Sequence, residues 1–234
     1  MEVIANLTNP IAIEQLIFWR ETHEKQLKFA PKMTSARKPR FDYQNLSETE
    51  RLCYELFNWD NFHQMLDLFQ NDPNPFVSDE FKSLNQLEVY TVAQLEYSRY
   101  SFKRGACDWF IKLKTTHELV GVLHIYDLNW ELYDGKHPAC MVGYAIGEEF
   151  RKQGYAYEAT KHLLNQIPII FKRYEVMAEP KIDNEASYNL LKKLGFKEKR
   201  KFRDDKSTLF YKKLVNKIPL KTCEQVIEEE AKYR

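Results

Sequence analysis

The chain has 234 residues, of which 44% are hydrophobic and 14% aromatic, with 35 basic and 34 acidic side chains. This composition is sufficient for a hydrophobic core and argues against wholesale disorder. The nearly balanced charge argues against a protein that binds nucleic-acid phosphates, because such proteins are normally distinctly basic.

The spacing of the cysteines and the length of the apolar runs bear on the cellular compartment in which the protein resides. The four cysteines lie far apart and form no C-x-x-C pair, so we expect reduced thiols and no metal site: Cys53, Cys107, Cys140 and Cys223. No apolar run approaches the roughly 20 residues that cross a bilayer, and the N-terminus lacks the basic and apolar regions of a secretory signal. We therefore expect a soluble, cytoplasmic protein without a membrane partner.

Residues 1–50 are predicted to form an N-terminal extension. Asn9 suits the N-cap of a helix and Pro10 its first position, so this helix should run from Ile11 to Phe29. Residues 30–40 are basic and interrupted by prolines, which is typical of a solvated linker. A calmodulin-like or membrane-surface segment is the less favoured interpretation of this basic stretch.

The rest of the chain alternates between strand and helix patterns. Up to residue 126 they predict a strand over 51–57, a helix over 60–70, a longer helix over 83–102 and a hairpin of 109–113 with 119–126. Beyond residue 126 they predict a strand over 141–146, a helix over 154–166, a strand over 175–179 and a helix over 185–194. An antiparallel pair of strands is predicted last, over 196–202 and 208–213. Residues 215–234 are expected to form a helical C-terminal tail.

The turn after the strand 141–146 has the sequence Arg151-Lys152-Gln153-Gly154-Tyr155-Ala156. Its glycine allows the backbone to approach a ligand closely, and the following helix points its free N–H groups and positive dipole end at the turn. This combination favours a phosphate or pyrophosphate site. A solvated basic loop is the alternative for these six residues taken alone.

A second motif follows over residues 184–196, after a short strand that Pro180 stops. Asp183 or Asn184 can cap the next helix, and Gly195 follows as its C′ residue. Together, the turn and this helix resemble the GNAT superfamily of acetyl-CoA-dependent N-acetyltransferases. The first is similar to the family's pyrophosphate-binding motif and the second to its Asn…Ser…Leu-Gly-Phe helix.

Further segments resemble one branch of this superfamily, the RimJ/RimL-type group of ribosomal-protein N-terminal acetyltransferases. They are the strand and helix over 51–57 and 60–69 and the Val142-Gly143-Tyr144 strand. The resemblance covers residues 51–214 and implies an α/β (α+β) fold, with a mixed, mostly antiparallel sheet flanked by helices. Residues 1–50 and 215–234 would then be additions to this domain.

The resemblance also implies which residues bind acetyl-CoA. Backbone groups of three strand-end residues would face its pantetheine arm and acetyl carbonyl: Ala145, Ile146 and Gly147. The amides from Arg151 to Ala156 would hold the pyrophosphate, and Asn184 would bind the pantetheine arm in addition to capping its helix. Ser187 would donate a proton to the leaving thiolate, since Leu191, where many members have a tyrosine, cannot donate one.

The residue that accepts the proton of the amine is not identified by the motif. The RimJ/RimL-type pattern often has a glutamate where this chain has Met141, which cannot accept a proton. Either water or a neighbouring group would serve, the local candidates being His124, Tyr126, Asp127, Glu131, Asp134 and His137. A lone strand histidine such as His124 is more often a packed core residue than a base.

The predicted function is transfer of an acetyl group from acetyl-CoA to a primary amine by direct attack in a ternary complex. The acceptor would be a protein N-terminus or a small amine. The extension 1–50 would cover the acceptor cleft, dock on the side of the domain or form a homodimer contact. The alternative is a catalytically silent acyl-CoA-binding or regulatory module, which Met141 and Leu191 fit and the intact turn at 151–156 opposes.

Overall fold

A computed structural model describes residues 7–29, 44–98, 105–128, 139–202 and 206–214. The predicted linker over 30–40, residues 129–138 of the loop after the hairpin and the C-terminal tail lie outside these ranges. The strands are β1 Leu52–Leu56, β2 Cys107–Leu113, β3 Leu119–Tyr126, β4 Ala139–Ile146, β5 Glu175–Ala178, β6 Lys197–Phe202 and β7 Ser207–Lys213. The helices are α1 Pro10–Phe29, α2 His63–Phe69, α3 Leu84–Val92, α4 Tyr155–Ile170 and α5 Glu185–Lys193.

The strands form one sheet in the order β1-β2-β3-β4-β5-β7-β6. Neighbours pair antiparallel, except for β4 and β5, which run parallel. The expected mixed, mostly antiparallel sheet is therefore confirmed, as is the hairpin of β2 and β3.

The parallel pair opens along its length. β4 pairs with β5 only from Ala139 to Met141, but β4 continues to Ile146 whereas β5 ends at Ala178. Beyond Met141, β4 therefore has no strand beside it on the β5 side among the described residues. We call this opening, bounded by residues 142–146 and 178–181, the splay.

Helices cover both faces of the sheet because the strand side chains alternate in direction. On one face, Trp109 and Val142 belong to a core that includes Leu163 of α4 and Leu191 of α5. On the other face, Phe110 and Val122 pack with residues of α1, α2 and α3. We call these the α4/α5 face and the α3 face.

Helix α1 docks on α3, which corresponds to the second of the arrangements left open for the extension. Asn9 Oδ1 accepts a hydrogen bond from Ile11 N at 2.9 Å, as expected of an N-cap residue. The carboxylate of Glu88 on α3 accepts from the backbone and hydroxyl of Thr8 and from Asn9 N. Leu16 of α1 is fully buried in the core of the α3 face.

Three helices differ from their predicted length by more than one residue. The helix expected over 60–70 is shorter, since α2 spans His63–Phe69. The helix expected over 83–102 is α3, followed by π-helical turns over Ala93–Ser98, and residues 99–104 lie outside the described ranges. Helix α4 continues past its predicted end at 166 and includes Pro168. Ile167 and Pro168 are buried, so packing retains a last turn that proline would otherwise disfavour. In the described part of the chain, no helix is long and apolar enough to span a membrane.

Candidate active site

A cavity of about 700 Å³ occupies the splay and reaches both faces of the sheet. Its wall includes residues 142–145 of β4, residues 178–181 after β5, and Asn184 and Ser187 at the start of α5. On the α3 face it is lined by Phe81, Tyr90 and His124, among others. The predicted residues Ala145, Asn184 and Ser187 therefore meet in one cavity, formed where two strands separate.

Ser187 makes a close contact that the sequence did not indicate. Its Oγ lies 2.8 Å from Oη of Tyr144, and both residues line the cavity. Burial raises the pKa of Tyr144 to about 12, while the hydrogen bond to Ser187 lowers it by a smaller amount. The phenol therefore keeps its proton at neutral pH and can donate it to Ser187, which leaves the serine hydroxyl free to donate in turn.

The sequence analysis used Tyr144 only as part of a strand motif. Alternation along β4 places its side chain on the same face as Val142, toward α4 and α5. That periodicity indicates the face on which Tyr144 lies. The contact with Ser187 additionally requires α5 to dock beside β4, which the strand pattern does not specify.

Asn184 caps α5, as one of the two predicted alternatives. Its Oδ1 accepts from the backbone N–H of Ser187 at 3.1 Å. This bond fixes Ser187 in the first turn of the helix. Among the described residues Nδ2 of Asn184 has no hydrogen-bond partner, so it is able to donate to a ligand in the cavity. The capping and ligand-binding roles are therefore compatible.

The turn at 151–156 has the backbone shape of an anion site. Lys152 and Gly154 have positive φ angles of 62° and 85°, and such turns direct successive amides inward. Gly154 is the N-cap of α4 and no side chain caps that helix, so its first amides are not satisfied by a cap. Any side chain at Gly154 would be strained by its φ angle.

Side chains in this turn mostly hold it in place. Arg151 donates from Nε to the carbonyl of Ile146 at 3.0 Å and pairs through Nη2 with the carboxylate of Asp72, whose side chain is 1% exposed. Its guanidinium therefore fixes the turn to β4 and to the segment after α2. Lys152 and Gln153 are exposed, whereas Tyr155 and Ala156 pack against the core.

Arg51 is a neighbour of the turn that the sequence motifs did not single out. It donates from Nη1 to the carbonyl of Gln153 at 3.0 Å and from Nε to Glu158 at 2.7 Å. Its guanidinium lies 4.7 Å from the ring centroid of Tyr155. Because Arg51 immediately precedes β1, no local pattern places it beside the turn.

The strand-end residues divide their backbone groups between the sheet and the splay. The amide of Gly147 donates to the carbonyl of Val120 at 3.0 Å, and Ile146 O accepts from Arg151. Since successive strand amides point to opposite edges, Ile146 N–H faces the splay. A Cβ at Gly147 would lie 2.4 Å from Leu68 Cδ1, so a larger residue there would displace the side chain of Leu68 in α2.

The candidate bases have different surroundings. Met141, which cannot accept a proton, is 5% exposed in a cluster with Met177 and Leu209. Three of the six candidates, Glu131, Asp134 and His137, lie outside the described residues. Tyr126 and Asp127 line the cavity. His124 also lines it, and its Nδ1 lies 2.8 Å from Oδ1 of the buried Asp108. No group of residues suited to a metal ion is present in the part of the chain that the structure describes.

Comparison with known proteins identifies the family. Residues 51–197 match the family model described as Acetyltransferase (GNAT) domain. The chain belongs to this family. This GNAT acetyltransferase is 27% identical over 153 residues to the uncharacterized N-acetyltransferase YoaA of Bacillus subtilis (strain 168), a match that covers 64% of this chain and 82% of that protein.

Solved structures of GNAT acetyltransferases share the fold. The ribosomal-protein-S5-alanine acetyltransferase of Vibrio fischeri superposes with a TM-score of 0.58 at 17% identity, over 76% of this chain and 100% of that one. A variant of the spermidine N-acetyltransferase SpeG of Vibrio cholerae gives a TM-score of 0.55 at 14% identity, over 70% and 95% of the two chains. At such identities the likeness shows the fold.

Proposed function

We propose that this protein is an acetyl-CoA-dependent N-acetyltransferase of the RimJ/RimL type that transfers the acetyl group to a primary amine. The observation that supports this most directly is the splay, where the hydrogen-bonded pair of Tyr144 and Ser187 lines a cavity. Membership of the GNAT family supports acyl-CoA as the donor of the acetyl group.

The groups present suit the separate parts of acetyl-CoA. The amides of the turn at 151–156 would hold the pyrophosphate, since Gly154 leaves room for it and α4 has no side-chain cap. Nδ2 of Asn184 and the N–H of Ile146 would bind the polar groups of the pantetheine arm along the splay. Arg151 would act by holding the turn rather than by touching the cofactor, because its guanidinium is already paired with Asp72.

Acetyl-CoA supplies an acyl group activated as a thioester, and the residues of the chain supply position and protons. Ser187, supported by the phenol of Tyr144, would protonate the departing thiolate. A covalent acetyl-cysteine is disfavoured, because none of the three described cysteines lines the cavity and burial raises the pKa of Cys140 to about 12. The amine would therefore attack the thioester directly in a ternary complex.

The acceptor would be a protein N-terminus or a small cationic amine. The charged side chains that line the cavity are three carboxylates and one lysine, an excess of negative charge that favours a positively charged ligand: Glu80, Asp127, Glu179 and Lys181. Proteins of the same fold are named for ribosomal-protein and spermidine substrates. We assign residues 51–214 to the acetyltransferase domain, with 1–50 and 215–234 as extensions of it.

The first test is acetyl-CoA binding measured by thermal shift, with ATP and NAD as comparison ligands. Ligand at about 100 times its dissociation constant stabilises the folded state by roughly 2.7 kcal/mol, which should raise the midpoint by about 5 °C. Gly154→Val should abolish the shift, because a β-branched residue is strained at this φ of 85° and would distort the turn. Gly195→Val is the matched control, since Gly195 also has a positive φ, of 80°, but lies at the end of α5.

The outcomes separate the two functions considered. No selective shift with acetyl-CoA would overturn the proposal. A selective shift without acetyl transfer to any small amine or N-terminal peptide would instead identify a catalytically silent acyl-CoA-binding module. A shift together with transfer supports the acetyltransferase and defines its acceptor.

A further inference from the structure

We propose that His124 is the general base for the acceptor amine and that Asp108 is its positioning residue. This assignment rests on the proposed acetyl transfer and supplies the proton acceptor that Met141 cannot provide. Its basis is a polar cluster on the α3 face, made of Asp108, His124, Tyr90 and Gln94, which none of the sequence motifs includes.

The register of the sheet brings the central pair together. Asp108 of β2 is the direct partner of His124 of β3, and His124 is the direct partner of Gly143 of β4. The three residues therefore form a row across the sheet on one face, with neighbouring strands about 4.8 Å apart. Because Gly143 has no side chain, the imidazole adjoins the splayed strand directly; a Cβ there would lie 3.5 Å from His124 Cδ2.

Asp108 is held as an acceptor for several donors. Its side chain is 1% exposed, with Oδ1 at 2.8 Å from Nδ1 of His124. Oδ2 accepts from Tyr90 Oη at 2.7 Å and from Gln94 Nε2 at 3.0 Å. Burial, followed by the charge of Asp108, raises the pKa of Tyr90 well above its ordinary value, so the phenol remains a donor. Tyr90 and Gln94 therefore both donate to this carboxylate.

The carboxylate fixes both the orientation and the tautomer of the histidine. With Asp108 as the acceptor of this hydrogen bond, Nδ1 of His124 is the protonated nitrogen and Nε2 has the free lone pair. The ring also stacks on Phe81, with centroids 5.6 Å apart and planes 20° apart. Nε2 makes no hydrogen bond to any residue that the structure describes, and the side chain, 15% exposed, lines the cavity.

The position of the base complements that of the thiolate donor. His124 approaches the cavity from the α3 face, whereas Tyr144 and Ser187 approach it from the α4/α5 face. An amine bound beside His124 and a thiolate leaving toward Ser187 would thus be on opposite sides of the thioester carbonyl. This arrangement keeps the proton acceptor and the proton donor apart.

The proton balance follows from these positions. The ammonium form of the acceptor gives one proton to Nε2 of His124, and the freed nitrogen lone pair forms the N–C bond to the carbonyl carbon. The C–S bond then breaks, and its electron pair leaves with sulfur. Ser187 gives its proton to the thiolate. The attacking nitrogen loses its second proton to solvent, and solvent returns a proton to Ser187. The products are the N-acetylated amine, the CoA thiol and an imidazolium that returns its proton to water.

The decisive variant is His124→Gln, whose side-chain amide cannot accept a proton. With acetyl-CoA and an amine that the wild type acetylates, kcat/KM should fall roughly 100-fold or more. The acidic limb of its pH profile, which a base imposes, should disappear. Added imidazole should restore turnover in His124→Ala, and Asp108→Asn should also lower kcat, with acetyl-CoA affinity retained in each variant.

The pH profile has other titratable groups to consider. Asp108 of β2 and Tyr90 of α3 touch the imidazole directly. The other titratable groups that line the same cavity are Glu80, Tyr126, Asp127, Tyr144, Glu179 and Lys181. His162→Gln is the matched control, because that ring is likewise stacked, on Tyr54 at 5.3 Å, and hydrogen-bonded, to Ser47, but lies outside the cavity. It should leave the profile unchanged.

A measurement without turnover provides an independent check. Diethyl pyrocarbonate should modify His124 at Nε2, detected by peptide mass mapping, and a saturating acceptor amine should protect it. Failure of the reagent to modify His124 would contradict an accessible Nε2. Wild-type turnover and pH profile in a folded His124→Gln variant would overturn the base alone. A wild type that binds acetyl-CoA yet acetylates no amine would overturn the proposed function as well.

Discussion

At the scale of single residues, the side of the cavity to which we assign protonation of the thiolate contains a serine and a tyrosine that are distant in the sequence. Ser187 is placed by the cap of α5, which uses its backbone N–H and leaves its hydroxyl free for Tyr144. Burial keeps Tyr144 protonated up to about pH 12. The pair can therefore donate a proton over the pH range in which the enzyme would be assayed. Any loss of activity below about pH 12 must come from a group other than Tyr144.

Ser187→Ala should lower kcat by roughly 100-fold while leaving the dissociation constant of acetyl-CoA unchanged, because the capping bond is made by the backbone. Tyr144→Phe should have a smaller effect in the same direction. Steady-state kinetics at saturating acetyl-CoA and acceptor would measure both. Ser47→Ala, outside the cavity, serves as the control, and full turnover in Ser187→Ala would show that the serine is not the donor.

At the scale of elements, the turn between β4 and α4 is held from outside. Asp72, just after α2, accepts from Asn74 N at 2.9 Å and pairs with Arg151. Both bonds involve a carboxylate that is almost fully buried. The position of the turn, and hence of its free amides, therefore depends on α2 as well as on the strand and helix that it joins.

Arg151→Met should destabilise the protein by about 3–5 kcal/mol, because it leaves the carboxylate of Asp72 buried and unpaired. Arg151→Met combined with Asp72→Asn should recover most of this loss, since the amide is neutral and still accepts from Asn74. Urea unfolding would measure both. The control is Arg51→Met, whose ion pair with Glu158 is 44% exposed on the arginine side and should be worth about 1 kcal/mol or less. Equal losses in the single and double variants would contradict the account.

At the scale of the whole molecule, the N-terminal helix is part of the same core as the acetyltransferase domain. Leu7, Ala12 and Leu16 are buried with residues of α2 and α3. Glu88, which is fully buried, binds the segment that begins α1 through Thr8 and Asn9. Helix α1 therefore packs on the α3 face, the side of the sheet on which His124 lies.

Glu88→Ala should cost about 3 kcal/mol, because it leaves the donors of Thr8 and Asn9 without their acceptor. Hydrogen exchange of the α1 amides should accelerate more than that of β2 and β3. Glu118→Ala, an exposed glutamate in the hairpin turn, should change the unfolding free energy by less than about 0.5 kcal/mol. Unchanged exchange in α1 would show that Glu88 does not anchor it.

Features that depend only on neighbouring residues can be predicted from the sequence alone. The cap of α1 at Asn9, the cap of α5 at Asn184 and the left-handed Gly195 are local choices, and the structure has all three. Strand and helix periodicities located the elements of the sheet for the same reason. The glycine turn and the Asn184–Phe196 helix were sufficient to identify the family, because their chemistry lies within short segments.

Contacts between side chains that are distant in the sequence become apparent only in the folded structure. The contacts of Tyr144 with Ser187, Asp108 with His124 and Arg151 with Asp72 each join different elements. The sequence names His124 as one of six candidate bases, and the general behaviour of a lone strand histidine favours a packed residue. Its contact with Asp108 depends on the register of the hairpin, because a one-residue slip would move the side chain to the opposite face. Register and helix docking are fixed by burial of the two cores, and that burial is a property of the whole chain rather than of any motif within it.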